Sequence, residues 1–217
     1  MADHWLESFD DLVSANRSAD YVQRMQPHKF GDSNFVVELT SGNVVIEEPR
    51  FQNGGVKLLH FLQKPSGVSQ ADFAQHWQGE HVQTVLGALQ PLGILRKFVQ
   101  NPPLPLDPAV FKGTLFEAGG VGQYAGIEEF WFNGLEDLTR LRGDRDAWNA
   151  IRDSYARLTA PTGSFSMVTT ERVVFDYATP GRQTPKPAVL TPGTLEALID
   201  AQGYGGFNIP RPAGGKS

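Results

Sequence analysis

Between residues 56 and 176 the sequence predicts the same order of secondary-structure elements in two successive copies. This repetition is the feature that constrains the fold most. Each copy reads as strand, helix, strand. The first helix begins near Gln70 behind an N-cap at Ser69, and the second follows an N-cap at Asn133 and is broken near Gly143. The predicted strands are 56–63, 94–99, 126–132 and 165–175. Two such units close into one sheet with both helices on one face, so the predicted fold class is α+β and ferredoxin-like.

The other face of this sheet carries no predicted helix, although its strands are apolar at both alternations. Such a face is expected to be covered, most simply by a second copy of the molecule or by extensions of the chain. The sequence therefore predicts a homodimer.

An N-terminal segment, residues 1–50, is predicted to form a degenerate half-repeat. WLESFDDL at 5–12 is similar to WFNGLEDL at 131–138, and each precedes a helical stretch and a strand. Chance similarity of two capped, acidic helix starts is the alternative. FVVELTSGNVVIEE, at 35–48, is predicted to be a strand or a hairpin that extends the sheet or covers its open face.

Two further segments are predicted to lack long regular elements. Residues 101–123 are rich in proline and glycine and are expected to form a long loop. Beyond the domain at 56–176, residues 177–217 form a Pro/Gly-rich extension, either a solvated tail or a segment that wraps the domain or a dimer.

Composition narrows the function classes. The chain has 217 residues, a net charge of −5 and no cysteine, which excludes disulfides and thiolate chemistry. No basic stripe is present for nucleic-acid binding, and no apolar run approaches the roughly 20 residues of a membrane span. The acidic start differs from a signal peptide, so the expected location is cytoplasmic.

The sequence predicts neither a cofactor nor a metal site. Residues 119–126 lack the spacing of a dinucleotide-binding loop, and no phosphate-binding loop is present. His76, Glu80 and His81 do not form the helical motif that places two metal ligands on one face.

His81 is the strongest candidate for chemistry. It follows Trp77 by four residues, on the apolar helical stripe that also contains Phe73. Imidazole has the unperturbed pKa nearest to neutral pH, so His81 is a candidate general acid or base. The alternative is a structural imidazole at the edge of the core. His76 lies off the stripe and is expected to pair with Glu80 on the solvated face.

His60 lies in the strand before this helix and is the second candidate. If the helices cover its side of the sheet, His60 faces the same space as His81. If they cover the other side, His60 faces the dimer interface. The sequence leaves both placements open.

Glu129 is the candidate carboxylate. Glu128 and Glu129 open an apolar strand, and strand alternation points one of them inward. An inward carboxylate is either an acid used in chemistry or is paired with a cation. Arg96 and Lys97 on the neighbouring strand are the expected partners in the second case.

The chain resembles the EthD family of dimeric α+β barrel proteins. The stretches concerned are KLLHFLQKPSGVSQADFAQHWQGEHVQTV, YAGIEEFWFNGLEDLTRL and SFSMVTTERVVFD, within about 56–176. Their most specific parts are the turn at 64–67, Trp77 with His81, and the run Glu129, Trp131, Phe132. The resemblance implies sheets that pack face to face in a dimer, a small apolar cavity between sheet and helices, and a family histidine at His81. Members of the wider superfamily include cofactor-free oxygenases, polyketide cyclases, dehydratases and decarboxylases.

Together these observations predict a cofactor-independent lyase that acts on a small apolar molecule, aromatic or polyketide-like. His81, His60 and Glu129 are its predicted catalytic residues. The predicted substrate-binding residues are Phe73, Trp77, Tyr124 and Trp131. A cofactor-free monooxygenase and a non-catalytic binding protein are the alternatives.

Overall fold

The computed structural model describes residues 8–20, 23, 35–49, 55–105, 107–122 and 124–170. The chain divides into two compact units, Met1–Arg172 and Val173–Ser217, and every described residue belongs to the first. The predicted C-terminal extension, 177–217, lies outside the described residues, as does the end of the predicted strand 165–175.

One antiparallel sheet holds the strands that the sequence predicts. The strands of the described chain are β1 Val36–Val37, β2 Asn43–Glu47, β3 Val56–Leu62, β4 Lys97–Asn101, β5 Gly120–Val121, β6 Gly126–Phe132 and β7 Phe165–Thr169. Five of them form a sheet in the order β2-β4-β6-β3-β7, and every neighbouring pair is antiparallel. Without β2 this is the strand order of a ferredoxin-like sheet, which confirms the predicted fold class.

Some of the described helices begin at a residue whose side chain caps them. They are α1 Phe9–Arg17, α2 Gln70–His76, α3 Val82–Leu89, α4 Leu135–Gly143 and α5 Arg145–Leu158. Ser69 caps α2 by accepting the backbone N–H of Asp72, as predicted. Asp144 likewise caps α5 and causes the predicted break near Gly143.

The predicted cap at Asn133 is wrong. Gly134 occupies the N-cap position of α4 and makes no side-chain capping bond. Instead, the backbone N–H of Asn133 donates to the Asp137 carboxylate at 3.0 Å. An aspartate in the first turn therefore reaches back to the chain that enters the helix.

Of the strand or hairpin predicted at 35–48, the structure contains a strand that extends the sheet and no hairpin. β1 pairs in parallel with β5 in a separate two-stranded sheet, whereas β2 pairs with β4 and extends the main sheet at its edge. The free edge of β4 gives β2 a longer partner than the two residues of β1. The loop predicted at 101–123 contains two short 3₁₀ turns, Pro108–Phe111 and Leu115–Ala118, besides β5.

The helices α3 and α5 cover one face of the sheet and form the larger core with it. The strands contribute the buried side chains of Phe98, Phe130 and Phe132 to this core. Val85 and Leu89 of α3 belong to the same cluster. Within the described ranges, no helix is both long and apolar enough to cross a lipid bilayer.

The opposite face of the sheet is buried as well. Leu59, Val99 and Trp131 lie on this face and are each at most 3 % exposed in a single chain. The sequence predicts that this face is covered by a second copy or by extensions of the chain, and these three side chains are already buried within the single chain.

Candidate functional site

A fully buried carboxylate, Glu128, forms the centre of the candidate site. Strand β6 presents it to the helix side of the sheet. Trp77 Nε1 donates to Glu128 Oε1 at 2.6 Å, and Gln100 Nε2 donates to the same oxygen at 3.2 Å. Gln100 also donates to the backbone carbonyl of Trp77 at 3.0 Å. The carboxylate is therefore held by an indole and an amide from two different elements.

The second oxygen of Glu128 is bound by Tyr155 from α5. The Tyr155 hydroxyl donates to Glu128 Oε2 in a short hydrogen bond. His60 Nδ1 lies 2.5 Å from the same hydroxyl. Because the tyrosine proton points to Glu128, His60 is the donor in this second contact. His60 therefore faces the helix side of the sheet, where its register partner is Glu128.

His81 lies on the other side of the same carboxylate. His81 Nε2 is 3.2 Å from Glu128 Oε1, but the pair is not aligned as a hydrogen bond. His81 Nδ1 is 2.8 Å from the Ser154 hydroxyl of α5. The His81 ring also packs edge-on against Tyr155, with 4.6 Å between ring centroids. Two imidazoles thus flank one carboxylate and one phenol.

A π-helical turn between α2 and α3 delivers Trp77 and His81 to the sheet. It spans Trp77–His81, and both of its end residues are buried. Such a turn has wider i→i+5 hydrogen bonding and occurs often at functional sites. Gln78, Gly79 and Glu80 between them are exposed. This arrangement agrees with the predicted inner stripe and with the predicted solvated position of Glu80.

The charge states in the cluster follow from its contacts. Burial alone raises the pKa of Glu128, but polar contacts with His60 and His81, together with the charge that an imidazole carries when it is protonated, outweigh burial and hold that pKa well below its usual range. Burial raises the pKa of the Tyr155 hydroxyl, and the neighbouring Glu128 charge and hydrogen bond raise it further. Glu128 is therefore ionised and Tyr155 protonated at neutral pH.

A surface cleft of about 520 Å³ opens beside this cluster. Val68, Phe73 and Leu158 give it apolar walls, and His81 and Ser154 line it from the buried side. The remaining lining residues are Pro65, Gly67, Asp72, His76, Glu80 and Arg157. Its volume lies within the range of small-molecule sites, roughly 300–1,000 Å³. The cleft therefore combines room for a small molecule with one residue of the acid–base cluster, His81, in its wall.

Four of the seven predicted site residues come together here. His60 and His81 flank Glu128, Trp77 binds it, and Phe73 lines the cleft. Their functional roles stay predictions.

The structure does not bring Glu129 to this cluster. Alternation turns it to the opposite face, where it pairs with Lys57 and accepts from Asn101 Nδ2 at 2.8 Å. The expected partners are engaged elsewhere, because Arg96 binds Glu48 and Lys97 binds Glu47.

Tyr124 and Trp131 also lie away from the histidines. Tyr124 packs against Phe61, with 5.3 Å between ring centroids, on the face opposite the helices. Trp131 lies beneath the ammonium groups of Lys57 and Lys97 on that face. Neither of the two lines the cleft.

The residues missed by sequence reasoning are Glu128, Gln100, Tyr155 and Ser154. Glu128 had a partial signal, because strand alternation predicts that either Glu128 or Glu129 points inward. Tyr155 and Ser154 had no local signal, because the packing of α5 against the π turn brings them to His81. Within the described ranges, no group of three or more histidine, aspartate or glutamate side chains is arranged to hold a metal ion.

Comparison with known proteins gives one family. Residues 65–162 match the family model of the EthD domain. No curated protein matches the chain. A solved structure described as a dimeric ferredoxin-like protein of unknown function from Thermobifida fusca YX is similar at 16 % identity and a TM-score of 0.34, over 58 % of this chain and 99 % of that one.

Proposed function

We propose that this chain, whose residues 65–162 match the family model of the EthD domain, is a cofactor-independent enzyme of lyase type with His81 as its general acid or base. The observation that carries the proposal is the placement of His81. Its buried ring lies between an ionised carboxylate and a hydroxyl, in the wall of a cleft.

The neighbouring carboxylate supports proton transfer by His81. When the imidazole takes a proton, the positive charge forms 3.2 Å from Glu128 Oε1 in a buried setting, where the attraction between opposite charges is stronger than in water. A positioned imidazole accelerates proton transfer by roughly 10²–10⁴-fold. This range suits eliminations, decarboxylations and aldol-type steps on activated molecules.

The walls of the cleft support a small apolar substrate, aromatic or polyketide-like. Phe73, which is 1 % exposed, lines the cleft together with the apolar side chains of Val68 and Leu158. A protein that only binds an apolar molecule does not require polar side chains that converge at one end of its cavity. Here Ser154 and His81 do converge there, which favours an enzyme over a binding protein.

The experiment uses 5-nitrobenzisoxazole, an apolar aromatic probe of general bases. A base removes its C3 proton, and the freed electron pair forms a nitrile as the N–O bond breaks, which opens the ring to one coloured product, a cyanophenolate. We expect the protein to accelerate this elimination and His81→Gln to lower the rate about 10²-fold. The control is Gln78→Ala, an exposed position on the same π turn that does not line the cleft. Equal rates for the native protein and His81→Gln would remove His81 from the mechanism.

We also propose that the chain forms a homodimer through strand β7. This edge strand carries two exposed apolar side chains, Phe165 and Val168. Exposed apolar edges pair readily with another strand, and a lysine on the edge prevents such pairing. Sedimentation equilibrium should show a dimer for the native chain and for Val44→Lys on the opposite edge strand, but a monomer for Val168→Lys.

A further inference from the structure

Both ring nitrogens of His81 lie next to side chains of the protein, although Nε2 is buried without a hydrogen-bond partner there. Nε2 faces Glu128 Oε1 at 3.2 Å, and Nδ1 contacts the Ser154 hydroxyl at 2.8 Å. His81 is 2 % exposed and Ser154 is 4 % exposed. A proton that moves between His81 and a bound molecule therefore needs an intermediate atom.

Ser154 Oγ can be this intermediate atom, because it contacts His81 Nδ1 and Ser154 lines the cleft. It lines the cleft together with Arg157 and Leu158, which lie one turn further along α5. A serine inside a helix usually bonds to the carbonyl four residues earlier, whereas the contact found here is to His81. A hydroxyl has one proton and two lone pairs, so Ser154 can donate to Nδ1 and still accept a proton from a ligand.

We infer that Ser154 Oγ is the atom that exchanges a proton with the bound molecule, and that His81 acts through it as a positioning and proton-storing residue. This inference rests on the proposed function. Glu128, His81 and Ser154 then form one relay of carboxylate, imidazole and hydroxyl that ends in the cleft.

In an elimination, Ser154 and His81 together take one proton from the ligand. The Ser154 O–H proton passes to His81 Nδ1 while Ser154 Oγ takes a proton from carbon on the ligand. The electron pair of the broken C–H bond stays on the ligand and expels the leaving group. His81 then carries the added proton as an imidazolium beside Glu128, and returns it through Ser154 to the leaving group or to water.

The test compares four variants with 5-nitrobenzisoxazole as probe: Ser154→Ala, Ser154→Thr, His81→Gln and the Ser154→Ala/His81→Gln double variant. We expect Ser154→Ala to lower kcat/KM about 10²-fold, as His81→Gln does, and the double variant to lose no more than either single variant. Ser154→Thr keeps the hydroxyl and should restore most of the rate. Thermal unfolding of each variant confirms that it is folded.

The outcomes separate this inference from the proposed function. If Ser154→Ala keeps the native rate while His81→Gln loses it, His81 acts directly, and only the relay through Ser154 is overturned. Multiplicative losses in the double variant also overturn it, because two residues of one relay do not act independently. If neither single variant changes the rate, the proposed function fails as well.

Discussion

The indole of Trp77 lies against the backbone of Gly126, so closely that a Cβ atom on Gly126 would be 2.5 Å from Trp77 Cη2. The missing side chain lets the indole lie over strand β6 and reach Glu128 with its N–H. A glycine on one strand thus permits the hydrogen bond that fixes the central carboxylate two residues later.

Gly126→Ala should therefore destabilise the protein and displace Trp77. Forcing one extra carbon into a packed core costs about 1–3 kcal/mol. Denaturant unfolding followed by tryptophan fluorescence measures both effects. Gly87→Ala is the control: it lies in helix α3 with open space around it, and should be neutral or stabilise by up to roughly 1 kcal/mol. Equal stabilities for the two variants would show that Trp77 tolerates a side chain at residue 126.

Glu128 should make the protein sensitive to acid. Its pKa is depressed in the folded state, whereas the unfolded chain has the usual glutamate pKa of about 4.3. Below that pH the unfolded state binds more protons than the folded state, so this contribution to stability is present above about pH 4.3 and is lost as the pH falls toward the folded pKa.

Glu128→Gln tests this dependence. The free energy of unfolding, measured in urea between pH 7 and 3, should fall less with acid in Glu128→Gln than in the native protein. At pH 7 the variant should already be less stable, by about 3 kcal/mol, because a buried ionic network loses its anion. Glu80→Gln removes an exposed carboxylate and should keep the native pH dependence. Parallel curves for all three proteins would contradict an ionised Glu128.

Tyr155→Phe should remove one tyrosine that resists ionisation. Burial and the Glu128 charge raise the pKa of Tyr155, so its proton stays bound at pH values where an ordinary tyrosine, with a pKa of about 10, ionises. Alkaline titration of tyrosinate absorbance should show a late step in the native protein that is missing from Tyr155→Phe. A raised folded pKa also stabilises the protein below about pH 10, and this stability is lost as the pH rises through the folded pKa. An unchanged titration curve would place the late step on another tyrosine.

The sequence predicted the fold well because the fold depends on local periodicity. Ser69 was recognisable as a cap, and the alternation of β3 and β6 fixed which residues share a face. The two placements left open for His60 differed only in which face the helices cover, and that depends on contacts between distant elements. For the same reason, the sequence could not show which of the two glutamates faces the histidines. Alternation places Glu128 and Glu129 on opposite faces of the sheet, but it does not say which of them meets α5.

Glu129→Gln should affect stability more than rate, in contrast to Glu128→Gln. Glu129 is paired with Lys57 on the opposite face, so the variant leaves a buried ammonium group without its carboxylate and should destabilise the fold by about 3–5 kcal/mol. Its effect on the 5-nitrobenzisoxazole reaction, corrected for the folded fraction, should be small. Glu128→Gln should instead lower that rate, because His81 loses the anion that stabilises its protonated form. The double variant Lys57→Met/Glu129→Gln removes both charges and should recover much of the lost stability. If Glu129→Gln lowers the rate as far as Glu128→Gln does, Glu129 takes part in the mechanism.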